Sequence, residues 1–244
     1  MTPDPNRIAM WSGPRNLSTA MMYAFAARGD CAVWDEPFYA AYLAATGIDH
    51  PMTAEVIAAG QPDPAKVASA CLGPIPATQR LFYQKHMTLH MVPAFDRGFM
   101  RGLTNVFLIR HPARVVASYS KKRESPTLAD LGFVQQAELF DQVAQWQGSA
   151  PLVVDSFDIR ANPRDTLTKL CAALNIPFTE AMLKWPAGPK PFDGVWAPHW
   201  YNAVHQSTGL DDPEGPLPDL PAPFQTLADA AMPHYEKLAA LAIK

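Results

Sequence analysis

Five short apolar runs in this chain end on residues able to bind an anion or move a proton. They are Gly13-Pro14-Arg15, Asp35-Glu36-Pro37, Lys85-His86, Arg110-His111 and Asp155-Ser156. Gathered in one place, such groups suit phosphate-ester chemistry: cations hold the charged group while a carboxylate or imidazole takes a proton. The first run belongs to RIAMWSGPRNLSTAMMYAF, residues 7–25, where an apolar run, a short loop at 13–19 and a helix-forming stretch follow one another. A loop feeding a helix N-terminus attracts anions, because free N–H groups and the helix dipole point into it. Ser18 and Thr19 add hydroxyl donors, and Arg15 adds a charge. A Walker A loop reads GxxxxGK[ST]; counted from Gly13, Ser18, Thr19 and Ala20 stand where the second Gly, the Lys and the hydroxyl belong. An ATP-dependent kinase would lack its γ-phosphate cation and its magnesium ligand here. The plainer alternative is a turn with Ser18 as helix cap.

A second candidate anion motif is VFLIRHPARVVASYSKK, residues 106–122. Arg110 ends a buried run, so its guanidinium emerges at the sheet edge. Pro112 suits a first helical turn. Ser118, two turns into that helix, can face the same ligand, and a guanidinium and a hydroxyl can share one phosphate. The structural alternative pairs Arg110 with Asp35, Glu36 or Asp155. For the proton, Glu36 in WDEPF and His86 are the two candidate bases, with Lys85 and Arg15 as the cations beside a leaving group; His90 and His111 are weaker candidates. Glu36 would otherwise cap a helix or pair with Arg15, and His86 would be an interior imidazole.

These residues need elements to position them. Strands are expected at 7–12, 31–34, 81–85, 105–110 and 151–155, and helices at 18–28, in a pair within 37–72, and at 112–122, 135–146 and 163–174. Alternating strands and helices predict an α/β fold: a parallel sheet of about five strands with helices on both faces. Ligands then sit beyond the carboxyl ends of the strands, where the chemical residues lie. A helix near 224–242 packs on the core by its apolar spacing. The chain is read as one domain over 1–244. Residues 38–80 form a helical cap with Phe38, Tyr39, Tyr42 and Met52 as apolar lining. Residues 186–223 form a wrapping segment rich in proline, of which the chain has 25 among 244 residues, about twice the average share. Phe192, Trp196, Trp200 and Tyr201 within it argue for order, since disordered segments are poor in aromatics.

Composition bounds the partners. A net charge of −3 gives no electrostatic case for nucleic acid. No apolar run reaches the roughly 20 residues of a membrane span, and the polar start shows no secretory signal. Three scattered cysteines have neither metal spacing nor a disulfide framework. A reduced, cytoplasmic setting and no metal are expected, and a homodimer is compatible with the sequence.

The loop Pro14-Arg15-Asn16-Leu17-Ser18-Thr19 resembles the 5′-phosphosulfate loop of sulfotransferases that use 3′-phosphoadenosine-5′-phosphosulfate (PAPS), with Arg in their Lys position and Leu in their Gly position. Residues 106–122 resemble the family's 3′-phosphate motif, a strand followed by R-x-P-x-x-V-x-x-S, through Arg110, Pro112, Val115 and Ser118. The stretch 151–178 resembles the family's late strand and helix. KPFDGVWAPHWYNAV, residues 190–204, is similar to its cofactor-covering loop. The resemblance spans most of the chain and points to bacterial and plant sulfotransferase-like proteins. It implies a three-layer P-loop-type fold, PAPS as donor and adenosine 3′,5′-bisphosphate (PAP) as product, and a small-molecule acceptor. It further implies Gly13 through Thr19, Arg110 and Ser118 as donor-binding residues. Trp196 or Trp200 would lie near adenine, and Lys190 or His199 near the 3′-phosphate. In the same family, an acidic residue after the second strand or a histidine at the end of a later strand serves as base, matching Glu36 and His86. A catalytically silent nucleotide-binding protein and an ATP-dependent kinase are the alternatives; an aminotransferase has no supporting motif.

Overall fold

The computed structural model describes residues 6–76, 78–210 and 213–244; the polar start at 2–5, which carries the reading of no secretory signal, lies outside them. The core is a five-stranded parallel sheet: β1 (Asn6–Ser12), β2 (Cys31–Asp35), β3 (Leu81–Met87), β4 (Thr104–Ile109) and β5 (Leu152–Asp155), in the order β2-β3-β1-β4-β5. Both faces are covered, which explains why β4 reads as a continuous apolar run. Side chains alternate between two layers. Ile8, Met10, Tyr83, Val106 and Leu108 join one core cluster; Ala9, Trp11, Phe107 and Ile109 join the other.

The helices are α1 (Ser18–Ala26), α2 (Tyr39–Thr46), α3 (Thr53–Ala59), α4 (Pro64–Cys71), α5 (Pro112–Tyr119), α6 (Leu128–Leu131), α7 (Phe133–Gln147), α8 (Ser156–Ala161), α9 (Pro163–Ala173), α10 (Ala197–Trp200), α11 (Asn202–Gln206) and α12 (Ala222–Ala239). Helix α1 is apolar nearly all round because it is buried nearly all round. The sheet covers it on one side. Trp185 and Phe192 of the proline-rich segment meet Tyr23 edge-on, with ring centroids 5.9 and 5.8 Å away. Helices α4, α7 and α12 cover the opposite face through Val67, Cys71, Phe140, Val143 and Leu238.

Residues 38–80 carry three helices rather than two. Tyr39 and Leu43 of α2 and Val56 of α3 meet Trp196 and Tyr201 in a separate apolar cluster, whereas α4 turns away and packs on the sheet. Strand β3 runs two residues beyond its expected end at Lys85, and α8 follows β5 directly, unannounced by the sequence. Among the described residues, no helix is long and apolar enough to cross a membrane.

Candidate functional site

A cavity of about 490 Å³ opens at the carboxyl ends of the strands. One wall is the loop after β1, with Pro14, Arg15, Asn16, Leu17, Ser18 and Thr19 all lining it. Arg15 and Leu17 both hold left-handed backbone, at φ 64° and 72°, a conformation that costs a non-glycine residue about 1–3 kcal/mol. Leu17 precedes α1 and, among the described residues, no side chain caps the helix, so its first N–H groups, which lack intrahelical acceptors, are open to a ligand. Asn16 ties the loop down, its Nδ2 donating to the Leu108 carbonyl at 3.2 Å. Gly13 does not line the cavity; it lies behind the loop, where an added Cβ would come within 2.5 Å of the Leu131 carbonyl oxygen.

The two candidate anion motifs interlock. Arg15 Nε donates to Ser118 Oγ at 2.8 Å, and Arg110 Nη1 donates to the Arg15 carbonyl at 2.8 Å. Local sequence explains the placement. Arg110 leaves β4 at its carboxyl end. His111 then caps α5, its Nδ1 accepting from the Ala113 N–H at 3.2 Å, and Pro112 occupies the first helical turn, where its missing N–H costs nothing. Arg15, Arg110, Ser118 and Arg160 line the same end of the cavity. Burial, and then mutual repulsion between Arg15 and Arg110, lowers the pKa of Arg15.

The other end is built around Lys85. Its ammonium is buried and donates to Asp35 Oδ1 at 2.9 Å, Glu36 Oε1 at 2.5 Å and Tyr201 Oη at 2.7 Å. Tyr201 donates in turn to Asp35 Oδ2 at 2.7 Å and accepts from Trp196 Nε1 at 3.0 Å. Gly194 N–H also donates to Asp35 Oδ2 at 3.1 Å, so the proline-rich segment is latched to the sheet through this cluster. Burial opposes the charge on Lys85, but Asp35 and Glu36 outweigh it and raise its pKa. Burial, together with Asp35 next door, raises the Glu36 carboxyl above its ordinary value against the pull of Lys85. Glu36 too has a left-handed backbone, at φ 43°. Its Oε2 lies 3.9 Å from His90 Nε2, and burial holds that imidazole neutral. Tyr39, Leu89 and Trp200 complete this half.

Besides Gly13, expectations for five residues are corrected. His86 does not reach the cavity. Because β3 continues to Met87, Lys85 and His86 point to opposite faces. His86 stacks on Trp11 with ring centroids 4.3 Å apart, and its Nε2 meets Gln84 Oε1 at 3.1 Å. Trp196 is buried behind Tyr201, and it is Trp200 that lines the cavity. Lys190 turns back on its own loop, donating to the Pro186 and Gly188 carbonyls at 2.6 and 2.8 Å. His199 is absent from the cavity wall. Asp155 is structural, accepting from the Phe157 N–H at 2.9 Å and the Tyr235 hydroxyl at 2.6 Å. Sequence reasoning passes over Arg160, ranks His90 only as a weaker candidate, and gives Tyr201 no polar role. Only the position of His90, just past a strand end, offered a signal.

The buried His86 carries a measurable consequence. Burial lowers its pKa from 6.5 to about 3. Between those values the unfolded chain binds the extra proton, so this one group removes up to ~1.4 kcal/mol of stability per pH unit as the pH falls. Urea unfolding at pH 7, 6, 5 and 4 should show a shallower acid loss in His86→Phe than in the unsubstituted protein. Equal slopes would mean that His86 protonates in place.

Known proteins are similar to this chain along most of its length. The family model described as "Sulfotransferase domain" matches residues 6–242. Two Arabidopsis thaliana proteins, branched-chain-amino-acid aminotransferase-like proteins 1 and 2, are 36% and 35% identical over 235 and 231 residues. The matches cover 96% and 95% of this chain but 42% and 41% of those proteins, so the chain spans about two fifths of the length of these relatives. In fold it is similar to the sulfotransferase domain of the Synechococcus PCC 7002 olefin synthase, with a TM-score of 0.54 at 17% identity over 93% of this chain and 94% of that one. It is likewise similar to the sulfotransferase domain of the curacin biosynthetic pathway, with a TM-score of 0.55 at 16% identity over 93% and 98%. The parallel sheet has the fold of these domains, and the family model matches almost the whole chain: the chain belongs to the sulfotransferase domain family.

Proposed function

We propose that this chain moves a sulfuryl group from PAPS to a hydroxyl or amine of a small-molecule acceptor, with arginine and lysine side chains supplying the positive charge. The observation that carries this reading is the contact of Arg15 with both Ser118 and Arg110 in the wall of a cavity whose other end holds Glu36 and Lys85. The residues fit the nucleotide. Among the described residues, Arg110 Nε is a buried donor without a partner, α1 has no side-chain cap, and the loop before it is bent by two left-handed residues.

Bound there, the nucleotide would supply the sulfuryl group and a phosphate leaving group. The N–H groups opening α1 and the hydroxyls of Ser18 and Thr19 would hold the 5′ side; Arg110 and Ser118 would hold the 3′-phosphate. Glu36, its basicity raised by burial, takes the proton from the acceptor. Lys85 and Arg15 place positive charge where the leaving oxygen becomes negative. Tyr39, Leu89 and Trp200 offer apolar and aromatic walls to the acceptor, which favours a small, uncharged alcohol or amine over a polyanion.

Thermal unfolding with PAP or with ATP and Mg²⁺, each at about 1 mM, tests the donor. A ligand present at 100 times its Kd adds about 2.7 kcal/mol. PAP should raise the midpoint and ATP with Mg²⁺ should not, and Arg110→Ala should abolish the PAP shift. Stabilisation by ATP with Mg²⁺ alone would replace this reading with a kinase.

A further inference from the structure

The proline-rich segment carries a carboxylate that does not belong with its surroundings. Pro213, Gly215, Pro216 and Leu217 are exposed, yet the side chain of Glu214 between them is only 2% exposed. Its Oε1 pairs with Arg110 Nη2, its Oε2 lies 2.8 Å from Arg114 Nε, and Arg160 Nη1 is 4.0 Å away. Arg114 also donates to the Gly215 carbonyl. Three guanidiniums thus converge on one monoanion. Arg110 and Arg160 line the cavity beside Ser118, so the carboxylate stands at the cavity's cationic end. An added Cβ at Gly215 would meet nothing among the described residues within 4 Å, so the chain at this point has room on its outer side.

A terminal phosphate carries about −1.5 to −2 charges at neutral pH and three acceptor oxygens. It matches a cluster of three arginines better than one carboxylate does. A tethered carboxylate nevertheless competes strongly, because it binds without losing the freedom of a separate molecule. Where only a fraction of molecules is open, the apparent Kd rises by the inverse of that fraction.

We propose that Arg110, Arg114 and Arg160 form one phosphomonoester site and that Glu214 is its intramolecular occupant, which an incoming nucleotide phosphate displaces. This builds on the PAPS reading, with the 3′-phosphate as the displacing group. It assigns Arg114 and Arg160 to phosphate binding, and it makes the 213–217 stretch a strap that opens as the donor enters.

Calorimetric titration of the unsubstituted protein and Glu214→Gln with PAP and with adenosine 5′-monophosphate, which lacks the 3′-phosphate, tests it. Glu214→Gln should bind PAP about tenfold more tightly and leave the monophosphate within twofold. Arg160→Ala in the Glu214→Gln background should remove most of that gain. Equal or weaker PAP binding in Glu214→Gln overturns the displacement while leaving the donor reading intact. If neither protein binds PAP, the donor reading fails, and titration with inorganic phosphate decides the site. Binding to Glu214→Gln that Arg160→Ala abolishes would support the arginine site, and no binding would overturn it. Should Glu214→Gln fold poorly, thermal unfolding of Glu214→Asp, whose shorter side chain reaches less far, should show a larger PAP shift than the unsubstituted protein; an equal shift would overturn the proposal.

Discussion

Lys85→Met should lower the folding stability by about 3–5 kcal/mol, the usual cost of leaving a buried charge without its partner, and should slow transfer by roughly 100- to 1,000-fold. Lys85 is 1% exposed and its three N–H groups are all engaged, with Asp35, Glu36 and Tyr201. Methionine fills the volume but leaves two carboxyl groups side by side with no cation. One of them must then take a proton or draw in water. Tyr201 loses the N–H that it accepts, and with it part of the latch holding the proline-rich segment to the sheet. Urea unfolding measures the first effect and single-turnover transfer measures the second. The double variant Lys85→Met/Glu36→Gln should recover part of the stability and none of the rate, because it removes one stranded carboxylate but restores no cation. A Lys85→Met protein as stable as the parent would mean that the cluster is not ionised as described.

Much of this site was legible because its signals are local. The loop at 13–19, Arg110 with Pro112 and Ser118, and Glu36 after β2 all follow from residues close together in sequence, and the structure sets them around one cavity. The failures have physical causes. The expected end of β3 at Lys85 falls two residues early and leaves His86 in the loop beyond it. In a strand, neighbouring side chains part to opposite faces, so that small shift moved His86 from the cavity to the Trp11 layer. Trp196 and Trp200 are four residues apart around one short helix, and spacing alone does not say which of them lines the cavity. Glu214 with Arg110, and Tyr201 with Asp35, meet across 104 and 166 positions of chain. No periodicity or local motif encodes such contacts; they exist only because the proline-rich segment returns over the strand ends.

Glu36→Gln should separate catalysis from folding. The side chain keeps its shape and can still accept from Lys85, but it no longer takes a proton. Loss of a general base costs roughly 100- to 10,000-fold in kcat, while PAP binding, which rests on the other end of the cavity, should stay unchanged. Stability should rise. In the parent, one ammonium faces two carboxylates, and burial together with Asp35 raises the Glu36 pKa above 4.5. The folded state then holds a proton that the unfolded state releases, so stability is lost as the pH climbs from 4.5 through the folded value. Glutamine carries no such burden. Its stabilising effect should be largest near neutral pH and vanish below about pH 4.5, where glutamate is protonated in both states. A slower but more stable enzyme with that pH signature identifies Glu36 as a base kept at a cost to the fold. Full kcat in Glu36→Gln would move the proton to His90, the imidazole 3.9 Å from its carboxylate, and a fall in stability at pH 7 would make Glu36 a structural partner of Lys85 instead.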